Sequence, residues 1–288
     1  MSRASSVLPL RTRPIPHTRD KTNNMHNQQP PLFKPAPQPA SDPAHGAAII
    51  FLHGLDDDAT GWESMCFSAL HQHTSILTPH LDIATQFNEG NKLPYMQWIF
   101  PNAPHNMDAR QNAWYTPSSL NPAPAGRPEL APDEDEDGLR RSVKYVESLL
   151  DQLTSRGISP NRIVLGGFSQ GCALALLTEL TSSYAGRLAG IVGLMGYLPL
   201  PEAIQQLRTE AGLPHIVGHV PMFLARGASD RLIPRSKWTQ GLDKLKELGV
   251  DEAAMVVKEY EGLAHALSPA VLHDLCGWLE RVVPKLED

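Results

Sequence analysis

The chain has 288 residues, of which 41% are hydrophobic and 19% charged, so it can bury a sizeable core and reads as a globular protein. Its net charge of −6 gives no reason to expect nucleic acid or an anionic membrane surface as a partner. No apolar run approaches the roughly 18 residues of a membrane helix. Three widely spaced cysteines, Cys66, Cys172 and Cys276, argue against a disulfide framework; they favour a reducing, cytoplasmic setting, with the nucleus as a second location.

Residues 1–45 read as a disordered, proline-rich tail. Nine of the 26 prolines fall there among Gln, Asn and Ser, with too few apolar residues for a core. The stretch lacks the apolar centre of a secretory signal, and Pro9, Pro14 and Pro16 would break the amphipathic helix of a transit peptide.

Residues 46–288 read as a single domain. Ala47-Ala-Ile-Ile-Phe-Leu52 is a continuous apolar run, as expected of a strand buried on both faces. It is followed by His53-Gly54 and a helix from Trp62 to Leu70, then a polar excursion over 73–96. Gln97–Phe100 is a second strand, and residues 101–135 form a long loop rich in Pro and Asn, of the kind that covers or lines a site. A helix is expected over Glu136–Thr154, a strand from Arg162 to Leu165, and a helix after Gly171. Strands at 189–194, 222–225 and 254–260 alternate with helices at 202–209, 237–248 and 270–282. This alternation implies an α/β fold, a mostly parallel sheet with helices on both faces.

Chemistry enters at Gly167-Phe168-Ser169-Gln170-Gly171. G-x-S-x-G alone is a weak signal, since a chain of this length matches it by chance about one time in ten. Here a β-branched strand precedes it and a strong helix former follows it, the context of a nucleophile elbow. A serine nucleophile needs a base, and the base needs an orienting acid. Asp230 and His265 follow the last two strands, in the chain order Ser, Asp, His of α/β hydrolases. Taken singly, Asp230 could cap a turn and His265 is one of twelve histidines. His53 reads as a brace for the loop behind the first strand. The oxyanion requires two N–H donors; Gln170, just after the nucleophile, and Leu55, in the loop after the first strand, are the candidates.

Several segments together resemble the acyl-protein thioesterase and small carboxylesterase (phospholipase-carboxylesterase) family of α/β hydrolases, in a fungal-like form. They are Phe51-Leu-His-Gly-Leu55 with Gly61-Trp62, Ile99-Phe-Pro-Asn-Ala-Pro104, Asn161 through Gly171, and Leu198-Pro199. The resemblance spans about residues 47–284. It implies a single α/β-hydrolase domain with no metal or organic cofactor. It also implies hydrolysis of acyl thioesters on S-acylated proteins, and of lysophospholipids or small acyl esters. Carried over by motif, Ser169, Asp230 and His265 form the triad, and Leu55 and Gln170 supply the oxyanion donors.

The chain departs from the family pattern at Asp56, where glycine is usual, and continues with Asp57 and Asp58. Cys172 replaces a glycine, Met195 a serine, and Trp114-Tyr115-Thr116 a Trp-Phe-Asp segment. Three carboxylates beside an oxyanion hole would oppose the charge that develops there unless they face solvent. They motivate a rival reading, a hydrolase fold kept as a binding module. A general carboxylesterase for smaller esters is the rival within the enzyme class. Trp114 and Tyr115 either line an acyl channel or anchor their loop, and residues 73–96 or 101–135 could serve as a lid. The acidic run Asp133–Asp137 begins like a calcium loop, but Lys144 stands where the twelfth-position Glu belongs. It reads instead as solvated acids at a helix N-terminus. Cys172 reads as a packing residue under the elbow, or a redox-sensitive thiol.

Overall fold

A computed structural model describes residues 28–64, 92–118 and 133–286. Seven strands form one sheet in the order β1-β3-β2-β6-β7-β8-β9. They are β1 (Leu32–Lys34), β2 (Ala47–Leu52), β3 (Met96–Phe100), β6 (Ile163–Phe168), β7 (Gly190–Leu194), β8 (Met222–Gly227) and β9 (Met255–Tyr260). Among these seven described strands only β1 runs antiparallel. A separate hairpin joins β4 (His105–Asn106) to β5 (Gln111–Asn112). The helices are α1 (Ala59–Ser64), α2 (Glu136–Ser155), α3 (Gln170–Thr181), α4 (Ile204–Glu210), α5 (Arg235–Glu247) and α6 (Pro269–Val282).

The period of two along β2 divides the core. Ala48, Ile50 and Leu52 face one apolar cluster, with residues of α2, α3 and α4. Ala47, Ile49 and Phe51 face the other, with residues of α6. Both faces are covered, which is why β2 carries no polar residue. On α2, Leu139, Val143, Val146, Leu150 and Leu153 are buried at helical spacing, and Asp135 caps its first turn through Gly138 N–H at 2.9 Å.

Three expectations shift. Leu32–Lys34 lies within the expected disordered tail, yet it pairs with β3 at the sheet edge. Asn102 Nδ2 also donates to Pro30 O at 2.8 Å and Gln38 N to Pro94 O at 2.8 Å. Prolines 30, 31 and 35 bracket the strand and limit it to three residues, as befits an edge. Helix α1 begins at Ala59, ahead of Trp62, because Asp58 caps it; residues 65–70 of the expected helix lie outside the described residues, as does most of the 73–96 excursion. The 101–135 loop contains the β4–β5 hairpin, whose polar two-residue strands carry no periodic signal.

His53 braces the end of β2 against the end of β3. Its Nε2 accepts from Ala103 N at 2.9 Å, so the proton sits on Nδ1 and is donated to Gly54 O at 2.7 Å. The ring is 1% exposed, and burial lowers its pKa to about 4, against smaller upward pulls from Gly54 and Asp58. Glu179 on α3 is fully buried, and burial pushes its carboxyl up to about 8, partly opposed by Gly186 N–H and by Arg208.

These two groups tilt stability with pH in opposite directions. Above about pH 6.5 His53 is neutral folded and unfolded; as pH falls from there to about 4, only the unfolded chain takes up the proton. Stability then drops by up to roughly 3 kcal/mol. Glu179 acts in reverse, costing stability as pH rises from about 4.5 to about 8, because only the unfolded carboxyl releases its proton. Because the windows overlap, each is read as a difference from wild type in urea unfolding. His53→Gln should lose less stability than wild type between pH 6.5 and 4.5, and Glu179→Gln less between pH 5 and 8. Curves parallel to wild type would refute the two assignments.

Candidate active site

Ser169 stands between β6 and α3 with φ 54° and ψ −114°, a strained backbone for a residue with a side chain. Its N–H donates to Leu194 O at 2.8 Å, tying the turn to β7, and its carbonyl accepts from Ala173 N at 3.2 Å, starting α3. The hydroxyl makes no capping hydrogen bond to the helix. Close packing enforces the turn. A Cβ at Gly171 would lie 2.2 Å from Leu52 O, so the start of α3 must rest on the end of β2.

Asp230 and His265 come from the loops after β8 and β9. A Cβ at Gly227 would lie 2.1 Å from Leu263 O, and Ser229 N donates to Leu263 O at 2.9 Å. The two loops are therefore locked together, and His265 Nδ1 reaches Asp230 Oδ2 at 2.8 Å. The other oxygen, Asp230 Oδ1, accepts from Leu232 N at 2.8 Å and Ile233 N at 3.0 Å. Burial pushes the Asp230 carboxyl up, but His265 and the N–H groups of Ile233 and Leu232 outweigh it and hold it below the usual range. An ionised Asp230 fixes the tautomer with the proton on His265 Nδ1 and leaves Nε2 as the basic nitrogen. The imidazole packs on Phe168, the neighbour of Ser169, with ring centroids 4.9 Å apart, and Phe168 rests on Trp62 at 5.5 Å.

The loop after β2 lies directly on the nucleophile: a Cβ at Gly54 would be 3.4 Å from Ser169 Cβ. Asp56 N donates to Asn112 O at 2.9 Å, which ties this loop to the β4–β5 hairpin. The three aspartates are disposed of separately. Asp56 is exposed at φ 61°, a left-handed turn that glycine or a short polar residue tolerates. Asp58 Oδ1 caps α1, accepting from Thr60 Oγ1 at 2.6 Å and Gly61 N at 2.7 Å, and these bonds lower its pKa. Asp57 is half-buried against Gly61, and burial raises its pKa.

Trp114 and Tyr115 are each 2% exposed. Trp114 N donates to Gln170 Oε1 at 2.8 Å and its Nε1 to His53 O at 2.9 Å. Tyr115 O accepts from Gln170 Nε2 at 2.8 Å, and its hydroxyl lies 3.2 Å from that of Tyr197. Their polar atoms are thus spent on the protein. The side-chain bonds of Gln170 were beyond motif reasoning, because the elbow pattern leaves that position unspecified. The acidic run also differs in part from the expected solvated acids: Glu134 turns inward to accept from Leu200 N at 2.7 Å. Among the described residues no group of three or more His, Cys, Asp or Glu could hold a metal ion. Cys172 is fully buried, and burial pushes its thiol up to about 12, which makes it a packing residue with little thiolate.

Comparison with known proteins agrees with this geometry. The profile of the phospholipase/carboxylesterase family matches residues 80–283. Acyl-protein thioesterase 1 of Yarrowia lipolytica is 32% identical over 255 residues, covering 85% of this chain and 96% of that protein. Its namesake in Schizosaccharomyces pombe is 32% identical over 230 residues, covering 78% and 86%. The crystal structure of Arabidopsis thaliana SOBER1 superposes with a TM-score of 0.62 at 27% identity, covering 82% of this chain and 99% of that one. Acyl-protein thioesterase 2 of Zea mays shares the fold, with a TM-score of 0.61 at 24% identity over 88% and 98% of the two chains. With a mostly parallel sheet, a serine at the strand–helix elbow and these relatives, the chain belongs to the phospholipase/carboxylesterase family of α/β hydrolases.

Proposed function

We propose that this protein is a serine hydrolase that cleaves acyl thioesters, removing long acyl chains such as palmitoyl from S-acylated proteins. The observation that carries the proposal is the His265–Asp230 pair, closed at 2.8 Å and packed on Phe168, the residue before a serine held at φ 54° on the elbow. The relatives named as acyl-protein thioesterases supply the substrate class.

In this reading His265 Nε2 takes the hydroxyl proton of Ser169 as Oγ adds to the acyl carbonyl. The carbonyl electron pair moves to the oxygen, which the N–H groups of Leu55 and Gln170 hold at the head of α3. Collapse expels the thiol, which receives the proton from His265, and leaves an acyl-enzyme. Water then attacks, again deprotonated by His265, and the fatty acid departs as the proton returns to Ser169. Asp230 keeps the imidazole in the productive tautomer throughout. The exposure of Asp56 and the capping role of Asp58 support a working oxyanion hole over a binding module.

The family description also embraces carboxylesterases and phospholipases, so small acyl esters or lysophospholipids are the second reading. No helix among the described residues is long and apolar enough to cross a membrane, and the free Cys172 and Cys276 support a cytoplasmic setting, with the nucleus as a second location. One domain, residues 46–288 with the edge strand Leu32–Lys34 added to its sheet, is proposed to carry the whole reaction.

Ser169→Ala and His265→Ala should each lower turnover of an S-palmitoylated peptide by about 10³-fold or more, and Asp230→Asn by a similar factor through the wrong tautomer. Near-normal turnover in purified Ser169→Ala, or no labelling of Ser169 by a fluorophosphonate, would remove the assignment. A chain-length series separates the two substrate readings. An acyl channel gains about 0.8 kcal/mol per buried methylene, about fourfold in kcat/KM for each, whereas a short pocket shows a decline beyond short acyl chains.

A further inference from the structure

Two backbone N–H groups on different elements can stabilise one oxyanion only if their separation is fixed. Leu55 follows β2 and Gln170 opens α3, and neither element alone sets the distance between them. The residues flanking Leu55 and the side chain of Gln170 are bonded to a third segment, residues 112–115. On one side, Asn112 O accepts from Asp56 N at 2.9 Å, and Trp114 Nε1 donates to His53 O at 2.9 Å, so the strap grips the loop on both flanks of Leu55. On the other, Trp114 N and Tyr115 O both bond the amide of Gln170, each at 2.8 Å. The strap is itself held: Ala113 N donates to Pro104 O at 3.1 Å, and Ser142 Oγ donates to Trp114 O. The amide matches this task because it offers one acceptor and one donor side by side to consecutive backbone groups.

We propose that residues 112–115 act as a spacer between the two oxyanion donors, with Trp114 and the side chain of Gln170 as positioning residues. The proposal rests on the reading of Leu55 and Gln170 N–H as the oxyanion donors. It gives Gln170 two separable roles: the backbone N–H faces the substrate, and the side chain fixes where that N–H stands. It also makes Trp114 part of the rate-setting frame, since its indole N–H is the bond from the strap to the chain just before Gly54. Neither side chain needs to touch the acyl group.

The test uses the full-length chain with Trp114→Phe, which removes one donor but keeps a ring, and Gln170→Met, which keeps the length but removes both amide bonds. Turnover of a small acyl thioester is measured per serine titrated by fluorophosphonate to completion, so that misfolded protein is not counted. Loss of one oxyanion donor costs about 10²–10³-fold, so a misplaced donor should cost roughly 10- to 100-fold in kcat with KM within about twofold. Affinity for a trifluoromethyl ketone should fall by the same factor. That inhibitor forms a Ser169 Oγ–carbon bond, sends the carbonyl electron pair to its oxygen and the hydroxyl proton to His265, and so probes the same hole. The double variant should be little worse than the poorer single one, since both act through one strap. If Gln170→Met fails to fold, Trp114→Phe alone decides.

Wild-type kcat per titrated serine and unchanged ketone affinity in the folded variants would overturn the proposal. So would a rise in KM alone, which would place Trp114 in a substrate pocket. Activity surviving in Ser169→Ala would instead overturn the underlying reading of the site.

Discussion

Ser169 at φ 54° sits in a region that costs a non-glycine residue about 1–3 kcal/mol, and the site depends on that position being held. The neighbours leave little choice. Its N–H is bound to the end of β7, its carbonyl begins α3, and Gly171 lets α3 close onto Leu52 O. Two further positive-φ residues, Asp56 and Met195, follow β2 and β7, the neighbours of β6. These three positive-φ residues thus lie beyond the carboxyl ends of adjacent parallel strands, where a site of an open α/β sheet is expected; Leu93 and Arg110 take the same backbone region elsewhere. The apolar layers on both faces of β2 and β6 supply the rigidity that maintains the turn at Ser169.

The same end of the sheet solves an electrostatic problem. An oxyanion hole tolerates nearby carboxylates only if their charge is directed elsewhere or neutralised locally. Asp58 spends its charge on the N-terminus of α1, Asp56 faces solvent, and Asp57 Oδ1 accepts from Asp58 N at 2.9 Å while burial raises its pKa. Asp230, by contrast, is kept ionised by bonds from His265, Ile233 and Leu232. Carboxylates close together along the chain thus take different protonation preferences from their surroundings alone.

Much of this could be read from the sequence, for identifiable reasons. Buried parallel strands such as Ala47–Leu52 are continuous apolar runs, and the elbow carries its own glycines, so the sheet and Ser169 were legible. Strand ends fix chain order, which brought Asp230 and His265 forward among many acids and histidines. Leu32–Lys34 was not legible because three residues among prolines carry no period, and their pairing is tertiary. The bonds of Gln170, Trp114 and Glu134 were hidden for the same reason. Gln170 and Trp114 are 56 positions apart, Glu134 and Leu200 66, and no local pattern encodes either meeting.

The departures from the family pattern become intelligible as packing. Cys172 stands in place of a glycine on the buried side of α3, facing Gly193 and Gly196. A Cβ on Gly196 would lie 2.4 Å from Cys172 Cβ, so the cysteine occupies volume that only a glycine opposite leaves open. Met195 is fully buried and bonds its N–H to Ala225 O at 2.8 Å, which carries the end of β7 over to β8. Cys172 thus packs in the apolar layer of α2 and α3 and Met195 in the layer on the other face of the sheet. Ser169 itself is fixed by backbone hydrogen bonds, to Leu194 O and from Ala173 N, that depend on no side chain. The side chains around it vary as long as the facing residue yields the space.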